Sequence, residues 1–181
     1  MSKALQDNKE TWIIAGYEAF AVYGKSGLKV EPMAKVVGTS KSSFYHYFSD
    51  MEIFMEYLFK YHIQRSQIIA EKERNSKNID PELINILVEH KIDLLFNKQL
   101  RVNKNIADFA KILDISNKTV GDAFKIVWIK ELNFQLTPIQ IDGIFDLALD
   151  NFFLNINEET LNYNWLSDYF IKLSKLTDHF I

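Results

Sequence analysis

The sequence predicts an all-α protein of nine helices. Three observations lead there. Only six Gly and three Pro interrupt 181 residues, apolar residues recur at i, i+3, i+4 and i+7 almost throughout, and no stretch keeps the strict alternation of a half-buried strand.

The elements follow in order. A first helix is expected from about Ala4 to Tyr23, burying Trp12, Ile13, Tyr17 and Phe20, with Gly24 and Gly27 ending it. A short second helix runs from about Glu31 to Val37, with Pro32 tolerated in its first turn, and Gly38 stops it. Ser40 is placed to cap a third helix that runs through Phe48. Asp50 caps a long fourth helix with Ile53, Phe54, Tyr57, Leu58 and Tyr61 in one stripe, decaying into the charged stretch EKERNSKN at 71–78, a candidate linker. Asp80 and Pro81 open a fifth helix to about Lys98. A sixth carries Ile106, Phe109, Ala110 and Leu113, and a seventh carries Val120, Phe124, Val127 and Trp128. Thr137 and Pro138 open an eighth, where Ile141, Ile144, Phe145, Ala148, Leu149, Phe152, Phe153 and Ile156 keep the helical period. A ninth begins at Glu158–Glu159 and carries Leu166, Tyr169, Phe170, Leu173 and Phe180.

Composition excludes several function classes. There is no cysteine, so disulfides, thiolate catalysis and Cys-ligated metal centres are ruled out. The four histidines show no His-x3-His spacing, and no nucleophile elbow, phosphate-cradling glycine loop or paired carboxylates stand out, so neither a metal site nor an enzyme is expected. His62 and His179 read as ordinary helix residues, and no cofactor is implied. The start of the chain lacks an apolar signal core and no apolar run spans a bilayer, so a cytoplasmic protein with no membrane partner is expected. Net charge is −3, divided as seven Lys against seven Asp/Glu in residues 1–60 and fourteen Lys/Arg against seventeen Asp/Glu thereafter. Neither part is a basic coat, so any nucleic-acid binding must come from locally placed groups.

One segment supplies such groups. GTSKSSFYHYF, residues 38–48, follows a short helix and a glycine turn, which is the layout of a helix-turn-helix. Ala34 is small where two helices cross, and Val37, Phe44 and Phe48 would fix their angle. The head of the second helix then presents Thr39, Ser40, Lys41, Ser42 and Ser43: hydroxyls, free helix N–H groups and one cation, the groups that grip phosphate oxygens and approach base edges. Tyr45 and Tyr47 can place phenol hydroxyls on the backbone, and His46 can donate to a phosphate or a base.

Residues 33–59, MAKVVGTSKSSFYHYFSDMEIFMEYLF, resemble the signature of TetR-family transcriptional regulators. Ala34, Gly38, Ser40, Phe44, Tyr45, Tyr47, Phe48, Asp50 and Glu52 fall at the family's spacing. The resemblance implies a three-helix N-terminal helix-turn-helix domain over residues 1–49 (motif about 29–48) and a six-helix C-terminal ligand-binding and dimerisation domain over 50–181. It also implies a homodimer on a near-palindromic double-stranded operator, usually a repressor released by a small effector. By motif position Lys41, Ser42, Ser43, Tyr45, His46 and Tyr47 face DNA. Two positions depart from the pattern. Lys29 stands where a threonine is common, exchanging a hydroxyl cap for a cation, and Met51 stands where a lysine is common, removing one phosphate contact. A second function class therefore stays open, a family member that keeps the fold as a protein-binding or ligand-binding adaptor without DNA.

The C-terminal part offers candidate ligand and dimer residues. His90, Asp93 and Asn97 fall on one face of the fifth helix and could orient an effector, or form a solvated stripe. Phe96, Phe109, Phe124 and Trp128 could line a cavity for an apolar or aromatic molecule, or be plain core. Leu147 and Leu154 add a second apolar line to the eighth helix. With Phe152 there, and Leu166, Tyr169, Phe170 and Leu173 on the ninth, the two helices carry more apolar surface than one subunit covers, which points to a four-helix dimer interface.

Overall fold

The computed structural model describes the backbone of residues 3–132 and 137–177, and the side chains of residues 8–130 and 137–175. Phe180 and His179 lie outside the described residues. Within them there are nine α-helices and no strand: α1 (Lys3–Tyr23), α2 (Val30–Val37), α3 (Lys41–Phe48), α4 (Met51–Asn75), α5 (Ile84–Glu89), α6 (Lys91–Val102), α7 (Ala107–Leu132), α8 (Pro138–Asn155) and α9 (Tyr163–Thr177). The all-α class is as the periodicity required.

The punctuation explains most boundaries. Gly24, at φ +61°, turns α1 into a 3-10 segment, Gly24–Gly27. Gly38 closes α2 in the left-handed conformation at φ 73°, where its N–H reaches Ala34 O, a conformation that a Cβ disfavours. Asp50 caps α4, its carboxylate accepting from Ile53 N at 2.9 Å. Thr137 and Gln140 form a reciprocal capping box at the head of α8 with Pro138 in its first turn. Ser40 occupies the N-cap position of α3 with extended backbone, yet its hydroxyl makes no cap bond. It pairs with Ser42 Oγ at 2.8 Å instead.

Four boundaries differ from expectation, each for a physical reason. The charged stretch from residue 71 is not a linker as far as Asn75, because Glu73 is buried and α4 continues through it. The expected fifth helix breaks at His90 (φ −101°, ψ 24°) into α5 and α6; the break sets His90 Nδ1 2.9 Å from Asp93 Oδ2 and 3.0 Å from Arg65 Nη2. The expected sixth and seventh helices are one. The polar run between them stays helical because Ser116 and Thr119 return their hydroxyl protons to Leu113 O and Ile115 O, and Lys118 pairs with Asp114 one turn back. Helix α9 starts at Tyr163 rather than Glu158. Asn157 Oδ1 accepts from Glu159 N and Thr160 N in a side-chain turn, and Asn162 Oδ1 then accepts from Trp165 N.

One apolar core runs through the molecule. Trp12, Phe20, Phe44, Phe48, Phe54 and Leu58 are fully buried at its N-terminal end, and Phe96, Leu100, Trp128 and Ile156 continue it. Helix α4 packs along α7, and α1 packs across α6. The N-terminal helices are therefore not hung on a loose tether. Gly16 makes the α1–α4 approach possible: a Cβ there would sit 2.3 Å from the Phe54 ring.

Candidate nucleic-acid interface and ligand cavity

Helix α3 is clamped by its own sequence. Phe44 and Phe48, one turn apart, are both fully buried. Phe44 meets Trp12 of α1 edge-on at 5.3 Å and Phe54 of α4 at 5.0 Å; Phe48 meets Phe54 at 4.7 Å. With that face fixed, the helical period sends the others outward. Ser40, Lys41, Ser42, Tyr45 and His46 are exposed, Tyr45 by 55 %, while Thr39, Ser43 and Tyr47 are half-buried. Lys29 is exposed at the head of α2 and makes no side-chain cap. Apart from Lys29, which sits at the head of α2, the sequence-selected set occupies the head and outer face of α3.

Two local details modify that surface. Lys41 Nζ lies 2.8 Å from Glu31 of α2, an exposed ion pair that raises the Lys41 pKa and lowers that of Glu31 through hydrogen bonding and charge. An incoming phosphate would have to compete with Glu31 for this cation. Met51 is half-buried and packs against the core, so the first turn of α4 offers no cation at that position.

The C-terminal helices line a cavity of about 70 Å³, several times what one water requires. One face of α4 forms a wall, with His62, Ser66, Ile69 and Glu73 at i, i+4, i+7 and i+11. Leu87, Asp93, Leu94 and Asn97 form another. Helix α7 contributes Phe124 and Trp128, and α8 and α9 contribute Phe145, Phe152, Tyr169 and Phe170. The lining is mainly apolar and aromatic, the usual character of a small-molecule site.

Of the residues selected from sequence for a ligand, Asp93, Asn97, Phe124 and Trp128 line this cavity. His90, Phe96 and Phe109 do not. His90 is tied up beside Asp93 and Arg65. Phe96 stacks between Tyr17 and His62, at 4.3 and 4.6 Å. Phe109 packs against Phe20 and Phe59. The solvated-stripe alternative is ruled out, since His90, Asp93 and Asn97 are 2 %, 3 % and 8 % exposed. His62 is no ordinary helix residue: it is buried on the cavity wall. Glu73, hidden in what looked like a linker, was missed as well. The spacing 62, 66, 69, 73 was the available signal, masked by the charged residues around it.

A polar network joins this wall to α1. Tyr17 OH donates to Asp93 Oδ1 at 2.9 Å and lies 2.7 Å from His62 Nδ1. The phenol has one proton, and an ionised carboxylate only accepts, so His62 Nδ1 must carry a hydrogen and donate to Tyr17. Burial lowers the His62 pKa to about 4, leaving the ring neutral with Nε2 bare. Arg65 adds bonds to Asp93 from Nε at 3.0 Å and Nη2 at 2.8 Å. Burial alone would raise the Asp93 pKa, but hydrogen bonds from His90, Arg65 and Tyr17, with the Arg65 charge, hold it at about 2. Glu73 has no such help: it is fully buried, neither oxygen has a partner, and burial pushes its pKa well above the usual carboxylate range.

The residues selected for a dimer interface divide. Leu147 and Leu154 are 74 % and 79 % exposed on α8. Leu166, Phe152 and Phe170 are buried within the chain itself, and Tyr169 and Leu173 line the cavity.

Neither a family model nor a curated relative matches the sequence. Among solved structures, a Rhodococcus sp. protein named for the TetR family of transcriptional regulators matches over 92 % of this chain and 98 % of its own, at a TM-score of 0.53 and 18 % identity. The chain has the TetR-type fold. The likeness spans nearly the whole length, so it takes in the helices around the cavity as well as the helix-turn-helix. At that identity what is shared is architecture, and the function must be argued from this chain's own residues.

Proposed function

We propose that this TetR-type protein is a dimeric, operator-binding transcriptional regulator, cytoplasmic, acting as a repressor released by a small molecule held in the C-terminal cavity. The observation that carries the reading is the division of labour on α3. Phe44 and Phe48 lock the helix rigidly, while its exposed side carries only groups that hydrogen-bond phosphate or base edges. Residues 1–49 serve DNA and residues 50–181 serve ligand and dimer. Lys29, Thr39, Ser40, Lys41, Ser42, Ser43, Tyr45, His46 and Tyr47 form the DNA surface. A dimer on successive major grooves needs its two α3 helices about 34–36 Å apart.

Helix α4 is the lever. It is a single helix of 25 residues, about 37 Å long. Phe54 near its head holds α3, and His62, Ser66 and Glu73 farther along line the cavity. The Tyr17–His62–Asp93 bonds tie the same wall to α1. A ligand that moves α4 moves α3 with it, changing the spacing of the two reading heads. Nearly complete release requires the ligand to favour the non-binding shape by about 5.5 kcal/mol.

The test is selection of genomic fragments by the purified protein at low and moderate salt, with Tyr45→Ala as control. Enrichment of a short palindromic site, lost in the variant, supports the reading. A specific observation favours an adaptor as the alternative: Lys41 is engaged by Glu31, Met51 supplies no cation, and residues 1–60 carry no net charge. No enrichment at low salt would favour that second reading, and enrichment that survives Tyr45→Ala would show that the helix-turn-helix fold is kept without its use.

A further inference from the structure

Three residues of the cavity wall carry polar atoms without a hydrogen-bond partner: both carboxyl oxygens of Glu73, Nε2 of His62 and Oδ1 of Asn97. All three side chains are more than nine-tenths buried, Glu73 completely. Native interiors rarely leave such groups unpaired, because each has given up its hydrogen bonds to water without a replacement. Their grouping on one cavity says what kind of molecule satisfies them.

Each of these groups can accept a hydrogen bond. Nε2 of His62 is bare, because Nδ1 carries the ring proton toward Tyr17. Asn97 Nδ2 donates to Ser116 Oγ at 2.9 Å, and the Ser116 proton is committed to Leu113 O, so the Asn97 oxygen is left as an acceptor. The Glu73 carboxyl becomes a pure acceptor once it loses its proton. No Lys or Arg is among the described lining residues. An anionic ligand would therefore find no cation, only the proton that Glu73 retains. A neutral alcohol can exchange hydrogen bonds with the protonated carboxyl but brings no charge to compensate its ionised form.

We propose that the cavity takes a lipophilic amine, its ammonium group against the Glu73 carboxylate and its apolar body among Phe124, Trp128, Phe145 and Phe170. The inference rests on the ligand-cavity reading above and supplies the chemistry of the ligand. An amine that enters as its ammonium form displaces the Glu73 proton to solvent; one that enters neutral takes that proton directly. Both routes end in the same ion pair. His62 lies about 16 Å from Glu73 along α4, at 1.5 Å per residue. The acceptors of His62 and Asn97 thus serve a second donor at the other end of the molecule, not the same ammonium.

The experiment is calorimetric titration of the full-length protein with octylamine, octanol and octanoate, probes that share an alkyl body and differ in the head group. Octylamine is expected to bind at least about tenfold tighter than octanol, with octanoate weakest. Titration in buffers of different ionisation heat should show release of about one proton per octylamine bound. Glu73→Gln should abolish the preference for amine over alcohol. Equal or tighter binding of octanol or octanoate, no binding of any probe, or an amine preference that survives Glu73→Gln would overturn the proposal. If the variant does not fold, the ranking of the three probes on the unaltered protein still decides. Octylamine binding that leaves operator affinity unchanged would keep the proposal and remove the effector role instead.

Discussion

Two buried titratable residues on the same face of α4 act on stability with opposite signs. His62 has its pKa lowered from 6.5 to about 4, so between those values the unfolded chain holds a proton that the folded one does not, and stability falls as pH falls. The full effect is about 3 kcal/mol, at about 1.4 kcal/mol per pKa unit. Glu73 has its pKa raised by burial. Its contribution is fully present below the ordinary carboxylate range and is lost as pH rises toward its folded value. Between pH 6.5 and 4 the two partly cancel. Urea unfolding across that range should show a steeper loss of stability on acidification in Glu73→Gln than in the unaltered protein. In His62→Gln stability should instead hold or rise. Parallel curves for all three proteins would refute the assignment. Ser49, between α3 and α4, offers a second test at this scale. Its φ of 58° and ψ of −54°, with Asp50 N bonded to Phe48 O, form a strained γ-turn. Ser49→Gly should stabilise by about 1 kcal/mol, strain relief outweighing the added entropy of the unfolded chain. An unchanged urea midpoint would show that the turn stores no strain.

At the scale of the helix, α3 was legible because its two requirements coincide. Buried Phe44 and Phe48 set the register, and that register leaves Ser40, Lys41, Tyr45 and His46 outside. What the sequence could not show is the Glu31 partner of Lys41, because that contact depends on how α2 crosses α3. If Lys41 reaches a DNA phosphate, Lys41→Ala should weaken binding across all sequences and make the salt dependence shallower by about one unit. Because Glu31 competes for the same cation, Glu31→Ala should tighten binding at low salt. A gel-shift series in salt measures both, and an unchanged slope for Lys41→Ala would remove that lysine from the contacts. Caps and glycines fixed helix ends well, as Asp50, Thr137 and Gly38 show. The break at His90 was not readable, since nothing near it disfavours helix; tertiary bonds from Arg65 and Asp93 make it. Glu73 was hidden for the converse reason. A carboxylate among charged neighbours reads as solvent-facing, and only the packing of α4 against α7 turns it inward.

At the scale of the molecule, the question is what covers the outer face of α8. Ile139, Leu147 and Leu154 are 84 %, 74 % and 79 % exposed and lie on one side of the helix, with Gly143 between them, where an added Cβ would meet no neighbouring element within 4 Å. The inner side of the same helix is spent on the cavity and core through Phe145, Phe152 and Phe153. A helix apolar on both sides needs a second neighbour, and the glycine lets another helix approach closely. On the function proposed above, which needs two α3 helices held at a fixed separation, a second copy of the chain fits best, and a two-fold axis through α8 would hold them so. Leu147→Glu with Leu154→Glu should then yield a folded monomer. Light scattering should report half the mass, and circular dichroism should report an unchanged helical content. Operator affinity should fall far more than for either half-site alone, since each monomer loses the effective concentration that its partner's α3 supplies. A variant that stays dimeric would place the interface elsewhere. A monomer that keeps full operator affinity would show that the two reading heads do not need each other.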